Sequence, residues 1–186
     1  MAYKYSSKIT ILDKPITKLR SDMAISTFYL LFSEMVQYSQ NRSNSVIELQ
    51  QKLADMGYRV GQRYLELMYI REKNYKRDIK LVPLLIYIKN NLWKQLFDKE
   101  AEKLEHANDN ENTYYIIEKE SFVNKYISVP KDKGNLNCAY FIAGIIQAFL
   151  YGCNFPSKIT VHWHKGVTFM IVFDENIISR EKMMEK

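Results

Sequence analysis

The residues best placed to do chemistry are His162 and His164, which flank Trp163 in the run SKITVHWHK. On an extended strand, positions two apart share a face, so both imidazoles could approach one metal ion. Two nitrogens are half of a tetrahedral set. No carboxylate stands at strand spacing to complete it, and His106 is remote in sequence. The competing reading is a half-exposed strand with Val161 and Trp163 turned to the core. Cys138 and Cys153 sit in the apolar run LNCAYFIAGIIQAFLYGCNFP, where a thiol resists ionisation. If both lie on one helix they are about 22 Å apart, well beyond the roughly 7 Å that a disulfide spans. Glu118 and Glu120 read as the wet face of a strand. There is no Walker loop, Rossmann glycine fingerprint, HExxH or nucleophile elbow. The residues assemble no active site, so the sequence points to a non-enzyme with no metal and no cofactor.

The elements that carry these residues are mostly helical in the first half. From Ser21, SDMAISTFYLLFSEMVQYSQ puts Phe28, Leu31, Phe32, Met35 and Val36 at helical spacing, with Ser21 or Asp22 as N-cap. The next helix opens on Ser45 and Glu48, spaced as a capping box. Its apolar positions are Val46, Leu49, Leu53, Met56, Val60, Tyr64 and Leu67. The three-and-four spacing runs straight through Gly57 and Gly61, although each glycine costs a helix interior about 1 kcal/mol relative to alanine. An unbroken phase predicts one long helix, and two glycines a turn apart on its buried stripe predict a neighbour closer than the usual 8–10 Å between axes.

A basic connector, REKNYKRDIK, carries Arg71, Lys73, Lys76, Arg77 and Lys80. It leads to LVPLLIYIKNNLWKQLF, where Pro83 is tolerable only in the first turn and Leu85, Ile88, Leu92 and Leu96 form the core stripe. A polar strand, a turn at 108–112 and the β-rich run Thr113–Glu118 follow, then a loop closing at Pro130. The stretch Cys138–Phe155 approaches the length of a membrane span. Gln147 in its middle, with Gly152 and Pro156 at its end, makes it a buried core helix stopping near 151. The chain closes with two alternating strands around Gly166 and a polar tail, 181–186. The order predicts an α+β fold, helices packed on an antiparallel sheet of about four strands, as one domain over 21–180 behind a loosely held arm, 1–20.

The chain has 186 residues, 47% of them hydrophobic and 26% charged, the composition of a compact soluble protein able to bury one sizeable core. The opening residues are too polar for a signal peptide, and two cysteines suit a reducing compartment, so the cytoplasm is expected. The net charge of +6 is uneven: residues 1–99 carry 17 Lys+Arg against 9 Asp+Glu, and residues 100–186 carry 10 against 12. A basic half suits an acidic partner or an anionic membrane surface. It suits nucleic acid less, because no RRM, KH or zinc-finger pattern accompanies it.

At LADMGYRVGQRYLE the sequence resembles the small subunits of the transport protein particle (TRAPP), whose shared signature is an apolar helix bearing Gly-x-x-x-Gly-x-Arg, here Gly57, Gly61 and Arg63. LNCAYFIAGIIQAFL resembles the second signature, with Gly144 on the family's glycine. FDKEAEKLEHANDNENTYYIIEKE, NKYISVPKDKGNLNCA and FPSKITVHWHKG are similar to stretches typical of the fifth subunit type. The resemblance covers roughly residues 20–180. It implies helices against a four-stranded antiparallel sheet, and a heterodimer with a paralogous small subunit through the helical faces. It further implies a place in a tether at endoplasmic reticulum and Golgi membranes that acts as nucleotide exchange factor for a Rab-family GTPase. A related subunit carries a lipid-modified cysteine just beyond the glycine helix; Asp78 stands there in this chain, so acylation is not implied. Two other readings stay open on the residues alone. One is a stand-alone regulatory module holding a lipid or other apolar ligand beneath CAYFIAGIIQAFL, and the other is a membrane-surface binder acting through 71–80.

Overall fold

The computed structural model describes residues 24–71 and 80–184. The arm, 1–20, and three of the connector cations, Lys73, Lys76 and Arg77, lie outside them, as does Asp78. Helix α1 (Ile25–Gln40) begins later than its apolar spacing suggests, with Ala24 at the cap position and no side-chain capping bond. Ser21 and Asp22 are therefore not its N-cap. Helix α2 (Val46–Arg71) is a single 26-residue helix running through both glycines. Its start forms half of the expected capping box: Glu48 N donates to Ser45 Oγ at 3.1 Å, while the Glu48 carboxylate accepts from Asn44 N at 2.9 Å, one residue before the cap. These bonds satisfy two donors near the opening turn, and hydrogen bonding from Asn44 and Lys52 holds the Glu48 carboxyl below its usual range.

Helix α3 (Leu81–Tyr87) takes Pro83 in its first turn, passes into a five-residue π-helical segment (Ile88–Leu92), and resumes as α4 (Trp93–Phe97). At the π-helical stretch the Lys89 carbonyl accepts from Ala101 N at 3.1 Å, tying the approach to the first strand back onto the helix. The sheet has four strands in the order β1-β2-β4-β3, every neighbouring pair antiparallel. They are β1 (Lys103–His106), β2 (Thr113–Glu118), β3 (Ser157–Trp163) and β4 (Val167–Phe173). Between β2 and β3 the chain makes α5 (Tyr140–Gly152) and crosses the sheet, so β4 returns to pair with β2.

One face of the sheet is the core. Register aligns Ile116 with Phe169 and Phe169 with Val161, and on that face Trp93 packs edge-on to Phe169 at 5.6 Å between ring centres. Helix α5 is buried on nearly every side. Its one strongly polar residue, Gln147, donates from Nε2 to the Ser157 carbonyl at 3.3 Å. No helix among the described residues is long and apolar enough to cross a membrane.

Three readings of the chain's end and stripes change. First, residues 181–184 of the expected polar tail, 181–186, belong to helix α6 (Glu175–Met184), which buries Ile177. Glu181 Oε2 accepts from Leu81 N at 2.9 Å, so α6 supplies the opening-turn partner that α3 lacks locally. Second, Leu31 leaves the α1 stripe and is exposed. Third, Val60 and Leu67 leave the α2 stripe. The buried series on α2 runs Leu49, Leu53, Gly57, Gly61 at steps of four and ends at Met68, and such a row winds around the helix, turning Val60 and Leu67 off the contact.

Candidate functional site

The neighbour at both α2 glycines is α5, and these two helices form the most extensive contact between elements in the structure. A Cβ placed on Gly57 would lie 1.9 Å from the Phe141 carbonyl oxygen. One on Gly61 would lie 2.7 Å from the Ile145 carbonyl oxygen, and one on Gly144 would lie 2.0 Å from the Ala54 carbonyl oxygen. The absence of side chains on both helices lets backbone meet backbone, closer than any Cβ tolerates. Arg63 is not in this seam. Its side chain is exposed, 4.0 Å from Glu66 on the next turn.

With Val60 and Leu67, Arg63 lines an open hollow of about 590 Å³ on the outer flank of α2, together with Arg59, Gln62 and Tyr64. The seam positions α2 so that this flank, and the outer face of α1, meet solvent. On α1, Leu30 is 71% and Leu31 61% exposed; Ile47, at the start of α2, is 79% exposed. Tyr38 continues the α1 face and carries the Arg42 guanidinium 3.8 Å above its ring. The inner face of α1 is tied down by aromatic contacts: Phe28 and Tyr29 meet Phe122, Tyr29 meets Tyr126, and Phe32 meets Phe141. Sequence spacing placed Leu31 inside. The signal against that placement was the consecutive pair Leu30-Leu31, which widens the apolar stripe beyond what one neighbouring layer can cover.

The candidate chemical groups do not converge. His162 is exposed on the outer sheet face, its Nε2 2.9 Å from Thr160 Oγ1, while His164 has left the strand for the turn. Among the described residues no group of three or more His, Cys, Asp or Glu side chains could hold a metal ion. Trp163 corrects the half-exposed-strand reading. Register puts it on the core side with Val161, but at the strand's end, where it is 59% exposed. Cys138 and Cys153 flank α5 rather than lying within it, and both are buried. Burial pushes the Cys138 thiol up to about 12, so no thiolate nucleophile forms there near neutral pH.

Glu118 is the larger correction. It lies on the core face of β2 and is wholly buried, not on a wet face. Lys99 Nζ stands 3.0 Å from its Oε1 and also donates to the Glu120 carbonyl at 2.9 Å. Burial raises the Glu118 carboxyl above its ordinary range, opposed by Lys99 and the Trp93 indole. Alternation alone could have assigned the face, since Glu118 shares the parity of Tyr114 and Ile116. Of the basic connector, the Arg71 backbone ends α2 and Lys80 is exposed at the start of α3. The structure thus presents exposed apolar faces on α1 and α2.

Comparison with known proteins agrees with that picture. The family model for the transport protein particle (TRAPP) component matches residues 28–174. Trafficking protein particle complex subunit 5 of Gallus gallus is 48% identical over 178 residues, covering 96% of this chain and 95% of that one. The subunit of the same name from Dictyostelium discoideum is 46% identical over 154 residues, 83% of each chain. In fold, the chain matches trafficking protein particle complex subunit 3 from Naegleria fowleri, solved covalently bound to palmitic acid. The TM-score is 0.70 at 15% identity, covering 81% of this chain and 95% of that one. This chain belongs to the TRAPP family of transport protein particle components, its likeness being to the fifth subunit type.

Proposed function

We propose that this chain is a non-enzymatic structural subunit of the TRAPP vesicle-trafficking complex, paired with a paralogous small subunit through the outer faces of α1 and α2. Exchange on a Rab-family GTPase is then a property of the assembly rather than of any residue here. Its place is at the cytoplasmic side of endoplasmic reticulum and Golgi membranes, held there peripherally. The observation that carries the reading is the bare apolar face of α1 and the start of α2, with Leu30, Leu31 and Ile47 all more than half exposed on a domain whose interior is already filled. Large apolar side chains grouped on one surface mark a face that is covered in use. The family likeness supports a paralogous small subunit as the protein that covers it.

The test is co-expression with paralogous small TRAPP subunits, comparing the parent with the double variant Leu30→Glu, Leu31→Glu. The parent should co-elute with one paralogue at equal stoichiometry. The variant should lose that partner, by about 2 kcal/mol or roughly thirtyfold in affinity, as expected for central apolar contacts. Its own melting temperature should stay near the parent's, since both side chains face solvent in the free chain. Retention of the partner by the variant would place the interface elsewhere.

A further inference from the structure

The two edges of the sheet differ in a way the subunit reading does not use. Edge strand β1 has four residues and a mixed outer face, where Lys103 lies 3.9 Å from Glu105. Edge strand β3 has seven residues and, among those described, pairs only with β4. Along the strand and its turn the charged residues have one sign. From Cys138 to Phe173 the chain contains no Asp or Glu, while Lys158, His162, His164 and Lys165 all fall on β3 or its turn and are exposed. No carboxylate pairs with either lysine among the described residues. The side chains divide by face: Lys158, Thr160 and His162 point outward, and Ile159, Val161 and Trp163 lie on the core side.

A strand edge presents unpaired backbone donors and acceptors, and one lysine on it is a common guard against unwanted pairing. A guard does not account for Trp163, a large aromatic left 59% exposed at the end of the same edge. Nor does it account for four cationic or titratable groups without a single acid. We infer that β3 receives an extended, acidic segment of a partner chain as a fifth strand, with carboxylates alternating with apolar residues. Backbone pairing would supply affinity, and alternate side chains would supply specificity. On the outer face the segment's carboxylates stand beside Lys158 and His162. On the other face its apolar residues continue the row of Ile159 and Val161 and cover Trp163.

Charge decides among the other occupants. The chain's own opening segment carries Lys4, Lys8, Lys14, Lys18 and Arg20 against Asp13 and Asp22, so it is repelled by this edge. A second copy of β3 brings a strand with lysine and no acid to one of the same composition. An anionic lipid surface meets the charges but leaves the directional backbone groups unpaired.

The test uses the full chain and three fluorescein-labelled eight-residue peptides. One alternates Val with Glu, one alternates Val with Lys, and one is the Val-Glu peptide N-methylated on the amides of one edge. The Val-Glu peptide should bind and blue-shift tryptophan emission. The chain has two tryptophans, and Trp93 is already fully buried, so the shift reports Trp163. The Val-Lys and N-methylated peptides should bind at least about tenfold more weakly, as should the Val-Glu peptide to the double variant Lys158→Glu, His162→Glu. Equal binding of the N-methylated peptide would exclude strand addition. So would an unshifted tryptophan spectrum, or attachment to phosphatidylserine vesicles in the absence of peptide binding.

Discussion

On the side of α2 that meets α5, backbone approaches backbone at Ala54, Gly57, Tyr58 and Gly61; on the adjoining flank stand Val60, Leu67 and Ile70, exposed. The first is the buried face of the helix and the second interrupts its exposed side, and they are built in opposite ways. The seam removes side chains so that two backbones of one chain close on each other, and nothing outside the chain can enter. The flank and the outer face of α1 keep large side chains and leave them unpaired within the chain. A small-residue stripe thus marks an internal contact here, and a large-residue stripe marks an external one. The family's glycine motif is read best as the device that fixes the domain, which in turn holds the outer faces at a set angle to each other.

The severest way to break this contrast is a single methyl group in the seam. Gly57→Ala puts a Cβ where a backbone carbonyl oxygen now lies 1.9 Å away, and neither helix has a flexible side-chain end to yield. The helices must part, uncovering Ile142, Ile145 and their neighbours. The expected cost exceeds about 3 kcal/mol, above the usual range for overpacking because both parties are backbone. For a chain of this length, that is a fall in melting temperature of roughly 6–12 °C. Gly144→Ala should cost as much from the other side. Because both substitutions open one seam, the double variant should fall short of the sum of the singles, a cycle readable by urea unfolding. Strict additivity would show that the two glycines serve separate contacts. The α1 double variant described above is the opposite case, with an intact domain and a lost partner.

How much of this was legible in the sequence follows from the same contrast. Gly57 and Gly61 announced themselves because they interrupt neither the phase nor the length of α2, and only a backbone neighbour makes such a pair worthwhile. The Ser45 half of the capping box, the two hairpins and the helix ending at Gly152 were local signals and came through. What did not come through was set by the third dimension. Leu31, Val60 and Leu67 fit the helical period, but period alone does not say how wide a neighbour is, and α5 meets α2 at Ala54, Gly57, Tyr58 and Gly61. Helix α6 carries too few apolar residues to look buried. It folds because Ile177 reaches the core and Glu181 finds Leu81, about a hundred residues away in sequence. Glu118 was misplaced because a charged residue outweighed strand parity in the reading.

That misplacement gives the next test, of what the core tolerates in place of what the seam excludes. The Glu118 carboxyl is held above its ordinary value of 4.5 chiefly by burial. The folded state therefore favours the protonated acid more than the unfolded state does. Its contribution to stability is fullest below the ordinary carboxylate range and is lost as pH rises through the raised value. Glu118→Gln keeps the shape and removes the charge. The variant should melt above the parent at pH 7.5, with the margin closing as pH is lowered toward 4. A variant less stable than the parent at pH 7.5 would mean that the Lys99 pair outweighs the cost of burying the charge.

The smallest effect belongs to a glycine outside the seam. Gly134 follows the short 3₁₀ turn Lys131–Lys133 with right-handed helical backbone angles, φ −54° and ψ −20°, which any residue adopts. A Cβ there would lie 3.5 Å from the Lys131 carbonyl oxygen, an ordinary contact. Gly134→Ala should therefore fit without movement and restrict only the unfolded chain, raising stability by about 0.4–1 kcal/mol. In a domain of this size that is a rise in melting temperature of roughly 1–4 °C. Because the substitution is chemically identical to Gly57→Ala, the pair isolates the room available at the backbone as the single variable. Should Gly134→Ala fall by as much as Gly57→Ala, the loss of glycine itself would govern, and the close approach of α2 to α5 would no longer explain why the motif glycines are needed.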